Sequence, residues 1–169
     1  MLPQLHWRTV ASASMQIVIL CALALAFFMR TPQVSGLSMA PHIASGEFVL
    51  INTMAYRFAT PSRGDIIAFR HDSPSPEIFI KRIIGLPRDR IEIDDGRVTV
   101  NNRPLNEPYV RYPDHRSFAA VTVPRGSLYV LGDNRADSDD SRFWGFVPKT
   151  EVLGKALFGI WPLGHWGGL

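Results

Sequence analysis

Two residues of this sequence have the chemistry for nucleophilic catalysis, a serine at position 38 and a lysine at position 81. Ser38 lies in residues 34–43, VSGLSMAPHI, among small and apolar side chains. A serine hydroxyl is a weak nucleophile until a neighbouring base takes its proton. If Ser38 is a nucleophile, another part of the chain must therefore supply that base.

Histidine is the first candidate base. A Ser-His-Asp triad is assembled by geometry and not by sequence order, so a triad stays open as an alternative. No local pattern favours one histidine over the others. The five are His6, His42, His71, His115 and His165.

Lysine is the more informative candidate, because the chain has only three lysines. Lys81 and Arg82 are neighbours in an apolar, β-branched run, and adjacent strand residues point to opposite faces. If Lys81 faces the interior, it shares that face with Phe79 and Ile83, and burial there lowers the pKa of its ammonium group. The alternative is an edge strand on which both cations reach solvent.

Residues 132–148, GDNRADSDDSRFWGFVP, form a third polar cluster with opposite charges and two aromatic residues. Arginine–carboxylate pairs can fix such a loop and hold a small side chain in a defined place. The alternatives are a solvated surface turn and a metal site. The aspartate spacing does not match a calcium loop, so we expect neither a metal nor a cofactor.

The part of the chain that must position Ser38, Lys81 and the polar cluster consists mostly of short apolar runs separated by turn residues. They predict a mainly β, antiparallel domain. Asp95-Gly96 and Asn101-Asn102 can form tight turns, so residues 91–104 are predicted to be a small meander. Residues 92–125 are predicted to leave the main sheet, with a loop-rich part at 109–120. The predicted strands are 47–52, 65–70, 78–86, 90–94, 97–100, 127–131 and 152–161.

Residues 10–29 are an uncharged apolar run between Arg8 and Arg30. About 20 such residues cross a bilayer as a helix. We expect a retained anchor, with a cleaved secretory signal as the alternative. The expected organisation is a short amino-terminal segment at 1–9, one transmembrane helix at 10–29 and a β-rich domain at 30–169.

Composition excludes several other classes of protein. The net charge is only +3 and the arginines are spread along the chain, so no nucleic-acid partner is expected. A single cysteine, Cys21, excludes an intramolecular disulfide.

In order along the chain, these segments resemble those of type I signal peptidases, the membrane-bound serine-lysine proteases that remove signal peptides from exported proteins. SGLSMAP resembles the family's SGxSMxPT segment, and RGDIIAFR, residues 63–70, resembles its RGDIVVF strand. FIKRIIGLP, residues 79–87, resembles YxKRxxGxPGD. GDNRADSDDSR fits GDNRxxSxDSR at every specified position.

The resemblance implies a role for each of several residues. Ser38 is then the nucleophile, Lys81 the general base, Ser138 the hydroxyl that orients the lysine, and Asp140 with Arg142 a supporting ion pair. Three positions depart from the family pattern: His42 replaces a threonine, Arg88 replaces a glycine, and Gly36 stands where some members have an oxyanion-binding serine. The implied walls of shallow pockets for small substrate residues are Met39, Ile43, Phe79 and Ile80.

The implied function is removal of amino-terminal signal peptides from preproteins, with the lipid bilayer as a second partner. The expected location is the bacterial cytoplasmic membrane, with the amino terminus inside and the domain on the outer face. The alternatives are a relative specialised for few substrates, an organellar form and a non-catalytic, membrane-anchored binding domain. The carboxyl-terminal segment is predicted to be a last core strand, with membrane contact by Trp161 and Trp166 as its alternative.

Overall fold

The computed structural model describes residues 7–71 and 77–161 of the chain. An amino-terminal helix, α1 (Trp7–Phe27), leads into a domain of two antiparallel sheets. Within the described residues, no helix combines the length and the apolar character that a membrane crossing requires. The predicted membrane span therefore stays a prediction. His6, His165 and Trp166 lie outside the described residues.

Eleven strands and two short helices follow α1 in the described part of the chain. The short helices are α2 (Ala55–Phe58) and α3 (Ser141–Trp144), and single 3-10 turns lie at Arg135–Asp137 and Lys149–Glu151. The strands are β1 (Met29–Arg30), β2 (Phe48–Asn52), β3 (Ile66–Arg70), β4 (Ile78–Gly85), β5 (Arg90–Asp94), β6 (Arg97–Val100), β7 (Arg103–Pro104), β8 (Phe118–Thr122), β9 (Ser127–Leu131), β10 (Val147–Pro148) and β11 (Val152–Trp161).

The main sheet has seven strands in the order β1-β2-β11-β3-β4-β9-β10, and every pairing in it is antiparallel. All seven predicted strands are present within two residues of their expected ends. The mainly β, antiparallel prediction is confirmed, and the described part of the carboxyl-terminal segment, which ends at Trp161, is a strand of the main sheet as predicted.

The second sheet has the order β7-β6-β5-β8. Both predicted hairpin turns are present, with positive φ at Asp95, Gly96, Asn101 and Asn102, as two-residue hairpin loops require. A Cβ on Gly96 would lie 1.8 Å from the backbone oxygen of Asp114, so only glycine fits there. The excursion from the main sheet begins at β5, slightly before the predicted residue 92.

The loop predicted at 109–120 is wrong at its end, because Phe118–Thr122 forms β8 on β5. This edge strand is mostly exposed, so its sequence lacks the apolar alternation that signals a half-buried strand. The remaining residues of that region, between β7 and β8, do form a loop.

Strand β4 lies between β3 and β9, and residues 80–85 are buried on both of its faces. Lys81 is opposite Ile67 on β3, whereas Arg82 is opposite Ile66. Their side chains are only 4% and 7% exposed. The edge-strand alternative, in which both cations reach water, is therefore wrong.

Candidate active site

The Ser38 hydroxyl and the Lys81 amine are in direct contact. Lys81 Nζ lies 2.6 Å from Ser38 Oγ, although the two residues are 43 positions apart in the sequence. Ser38 belongs to a series of turns between β1 and β2, whereas Lys81 lies in the middle of β4. Met39, only 1% exposed, packs into the apolar core beside Ile80 and anchors the serine turn to the sheet.

Burial changes the acid–base chemistry of Lys81. Loss of solvation lowers the pKa of its ammonium group from 10.5 to about 8, against the opposing attraction of the Asp140, Asp139 and Asp137 carboxylates. A buried lysine of this kind carries far more neutral amine near neutral pH than an exposed one does. The amine can then accept a proton from the hydroxyl that it contacts.

The loop that carries Asn134 holds the backbone of Ser38 in place. Asn134 donates from its backbone N–H to the Ser38 carbonyl at 3.0 Å and from its side-chain amide to the Leu37 carbonyl at 3.1 Å. A Cβ on Gly132 would lie 2.4 Å from the Ser38 carbonyl oxygen and 2.2 Å from Ser138 Oγ. Gly132 therefore lets two polar segments approach each other closely. The sequence reasoning missed this role, and the glycine of GDNR was its only signal.

Asp140 is fully buried, and its carboxylate organises the loop. It forms the predicted ion pair with Arg142, with distances of 2.8 Å from Nε to Oδ1 and 2.9 Å from Nη2 to Oδ2. Oδ2 also accepts from the Gly132 N–H at 3.0 Å and from the Ser138 hydroxyl at 2.7 Å. The Ser138 hydroxyl thus donates to Asp140, and in the described part of the chain it makes no hydrogen bond to Lys81.

Two further ion pairs join this loop to the loop that precedes β8. Arg135 binds Glu107, with 2.6 Å between Nη2 and Oε1, and Arg142 Nη1 lies 2.6 Å from Asp114 Oδ2. Both arginines are almost fully buried. The second sheet therefore fixes the loop that carries Ser138 and Asp140, a connection that the sequence analysis did not anticipate.

Arg82 forms a separate buried network on the opposite face of β4. Its guanidinium binds both oxygens of Asp133, at 2.8 and 2.6 Å, and donates to the Gly64 carbonyl at 3.0 Å. The ring of Tyr109 covers it at 4.1 Å. His42 Nδ1 lies 3.5 Å from Asp133 Oδ2, so the histidine candidate at position 42 is directed at this network.

A cleft of 590 Å³ surrounds Ser38 and Lys81. Three of the predicted wall residues, Met39, Phe79 and Ile80, line it. Ile43 does not, because it is fully buried in the core cluster that contains Met39. In the described part of the chain, no cluster of three or more His, Cys, Asp or Glu side chains could hold a metal ion.

Gly36 lies at the edge of this cleft with a φ of +101°, and apart from its chain neighbours no atom of the described residues lies within 4 Å of the position of a Cβ. Its N–H donates to Ser45 Oγ at 3.3 Å. L-residues rarely adopt this conformation, so a serine at position 36 would be strained in this backbone. Space alone would permit its side chain.

The family model described as signal peptidase, peptidase S26, matches residues 7–161 of the chain. The chain belongs to this family. It is 36% identical over 167 residues to a probable signal peptidase I-1 of Synechocystis sp., covering 92% of this chain and 83% of that protein. It is 40% identical over 139 residues to the signal peptidase I of Leptolyngbya laminosa, covering 78% and 68% of the two chains.

The fold also matches a signal peptidase of known structure. The crystal structure of a signal peptidase I from Enterococcus faecalis V583 superposes with a TM-score of 0.50 at 36% sequence identity, covering 57% of this chain and 97% of that one. The protein is therefore a serine endopeptidase of the signal peptidase family, a hydrolase that removes signal peptides from preproteins. This result confirms the resemblance and sets aside the non-catalytic binding domain.

Proposed function

We propose that the protein cleaves preproteins with Ser38 as the nucleophile and neutral Lys81 as the general base. The observation that carries this proposal is the 2.6 Å contact between Ser38 Oγ and the buried Lys81 Nζ. Lys81 takes the hydroxyl proton while Oγ attacks the scissile carbonyl carbon, and the resulting ammonium gives the proton to the leaving amine. Lys81 then activates a water molecule that hydrolyses the acyl-enzyme ester.

Asp140 supports the charged state of Lys81 that arises during each step. Its negative charge raises the pKa of Lys81, while Arg142 beside it lowers that pKa. Asp140 also accepts from the Ser138 hydroxyl. We assign Ser138 as a positioning residue. Its hydroxyl holds the Asp140 carboxylate and lies close to the Gly132 backbone, and it therefore acts on the lysine through Asp140.

The oxyanion of the tetrahedral intermediate would bind the Ser38 backbone N–H. Gly36 has no side chain to donate a second hydrogen bond, and its positive φ disfavours a serine there. Removing one oxyanion donor from a protease costs about 2.7–4 kcal/mol of transition-state stabilisation. This enzyme therefore depends strongly on the main-chain donor at position 38.

The cleft walls support a preference for small side chains at the first and third positions before the cut. Met39 and Ile80 are nearly fully buried and Phe79 is half-buried, so they present a firm apolar surface beside Ser38. Large apolar groups so close to the nucleophile leave little room for a bulky substrate residue. The same groups keep water away from Lys81.

We further propose that residues 10–29 anchor the protein in the bacterial cytoplasmic membrane, with the amino terminus inside and the catalytic domain on the outer face. The run carries no charge, and Ile17, Val18 and Leu20 on α1 are 61%, 67% and 65% exposed. Strand β1 follows α1 almost directly, which would hold Ser38 near the bilayer. Fractionation tests the anchor: recovery of the intact full-length chain from the soluble fraction would contradict it.

The catalytic assignment is tested by cleavage of a purified preprotein by the full-length enzyme in detergent. Ser38→Ala and Lys81→Ala should each abolish product formation. Lys149→Ala is the matched control, because it removes another lysine without touching the cleft, and it should cleave normally. Undiminished cleavage by the Ser38 or Lys81 variant would overturn the assignment.

A further inference from the structure

The cleft around Ser38 is acidic on two sides. Glu77 lies at the start of β4, and Asp137 and Asp139 belong to the loop that carries Ser138. All three side chains are exposed, and within the described residues none of them takes part in a side-chain hydrogen bond or ion pair. They are thus available to a bound peptide.

Positive charge is scarce in the same cleft. Lys81 is the only cation among its lining residues in the described part of the chain, and it is only 4% exposed. The neighbouring arginines, Arg135 and Arg142, are already paired with carboxylates. The cleft therefore presents three exposed carboxylates, while the only cation among its described lining residues is buried.

Asp137 and Asp139 are not part of the motif that carries the family resemblance. They stand at unspecified positions of the GDNRxxSxDSR pattern, on either side of Ser138. Their carboxylates act on Lys81 through space, which places their charge close to the reacting atoms. A peptide whose scissile bond lies at Ser38 must pass beside them.

We propose that Asp137, Asp139 and Glu77 make this enzyme selective for preproteins that carry a lysine or arginine near the cleavage site, at a position other than the first and third before the cut. The proposal rests on the proposed function, because it takes the cleft around Ser38 as the place where the substrate binds. A basic side chain there gains attraction from carboxylates that form no side-chain hydrogen bond or ion pair within the described residues. An acidic side chain at the same position is repelled.

The test uses sets of signal-peptide substrates that differ in charge at one position near the cut, and the first and third positions before the cut keep their small residues. Each set contains a lysine, a glutamine and a glutamate version, and kcat/KM is measured for the full-length enzyme in detergent at low salt. At the most sensitive position, we expect the lysine peptide to exceed its glutamine twin by about fivefold, since partly exposed ion pairs contribute modestly. Raising the salt concentration should shrink this ratio because it screens exposed charges.

The double variant Asp137→Asn/Asp139→Asn should reduce the lysine-to-glutamine ratio towards one. Taking the ratio within one enzyme cancels any change in the reactivity of Lys81. The matched control is Glu92→Gln/Asp95→Asn, which removes the same charge from the exposed second sheet and should keep the ratio of the unaltered enzyme.

Two outcomes would overturn the selectivity: equal kcat/KM for the lysine and glutamine peptides at every position tested, or a lysine-to-glutamine ratio that is not reduced in Asp137→Asn/Asp139→Asn. Failure of the proposed function has a different signature. In that case Ser38→Ala would cleave the neutral peptide as fast as the unaltered enzyme does.

Discussion

Two neighbouring cations, Lys81 and Arg82, lie on opposite faces of β4 in different electrostatic surroundings. On one face, Lys81 is buried among apolar side chains and contacts the neutral hydroxyl of Ser38. On the other face, Arg82 is equally buried but binds both oxygens of Asp133 and lies against the ring of Tyr109. Within the described residues, Lys81 therefore has no carboxylate bound to it, whereas the charge of Arg82 is neutralised by Asp133.

This difference supports the roles that we propose, a reactive one for Lys81 and a structural one for Arg82. Burial without a direct ion pair lowers the pKa of Lys81 to about 8, so the residue can exchange a proton near neutral pH. A guanidinium keeps its charge under all ordinary conditions, and its planar fork fits a carboxylate. Arg82 therefore ties β4 to the loop at Asp133, while Lys81 stays available for chemistry.

Replacing Lys81 with methionine should separate activity from stability. The pKa of Lys81 is lower in the folded chain than its usual 10.5, so the ammonium destabilises the folded state increasingly as pH falls from 10.5 through about 8. The difference between the pKa values of about 8 and 10.5 destabilises the folded state by about 3 kcal/mol at pH 7. After subtraction of about 1 kcal/mol for the lost hydrogen bond, Lys81→Met should raise the free energy of unfolding by about 2 kcal/mol.

The same variant should lose activity by about 10⁴-fold, as serine proteases do when a member of the catalytic group is removed. Urea unfolding at pH 7 and a cleavage assay measure the two effects. A variant that is inactive and also less stable than the unaltered enzyme would contradict the cost assigned to the buried ammonium.

Replacing Arg82 with methionine should have the reverse effect on stability. It leaves the Asp133 carboxylate, which is 0% exposed, without its main partner, and this costs about 3–5 kcal/mol. The double variant Arg82→Met/Asp133→Leu should recover much of that loss. Equal stability of Arg82→Met and the unaltered enzyme in urea would show that the pair is not a structural link.

The close approach of the two polar segments near Ser38 depends on Gly132. Gly132→Ala would place a methyl group against the Ser38 carbonyl and Ser138 Oγ, so we expect kcat to fall about 100-fold through misplacement of the nucleophile. Gly159→Ala is the control, because among the described residues, its chain neighbours aside, the nearest atom to its methyl group would be Glu47 Oε2 at 3.4 Å. Normal turnover by Gly132→Ala would rule out this requirement.

The smallest expected effect is a shift in the pH dependence of the reaction. Asp139 raises the pKa of Lys81, so Asp139→Asn should lower that pKa and move the acid limb of the kcat/KM profile to lower pH. Glu92→Gln, on the second sheet, should leave the limb where it is. A shift to higher pH in Asp139→Asn would contradict the assignment of Lys81 as the base.

Most of the main sheet could be predicted from the sequence, because its strands are short apolar runs with clear turn residues between them. The pairing of Ser38 with Lys81 followed from a resemblance, together with the unusual position of a lysine in a β-branched run. Periodicity could not predict β8, since Phe118 and Val121, which pack against the core of the second sheet, are three residues apart at an irregular register and do not alternate.

The contacts of the polar loop could not be predicted for a different reason. Arg135 and Arg142 bind carboxylates 28 residues earlier in the chain, and nothing in the spacing selects Glu107 or Asp114 from the other acids. The sequence also did not predict which group accepts the hydrogen bond of Ser138, because a hydroxyl can donate to any acceptor that the folded loop places beside it. Such pairings depend on three-dimensional geometry alone.

Direct titration of the Lys81 amine tests the account most directly. The chain has only three lysines, so NMR of enzyme with ¹⁵N-labelled lysine side chains can follow each amine, with Lys81→Met identifying its signal. We predict that Lys81 titrates with a pKa of about 8, matching the acid limb of kcat/KM. A Lys81 pKa near its ordinary value of 10.5 would contradict the role of neutral Lys81 as the base for Ser38.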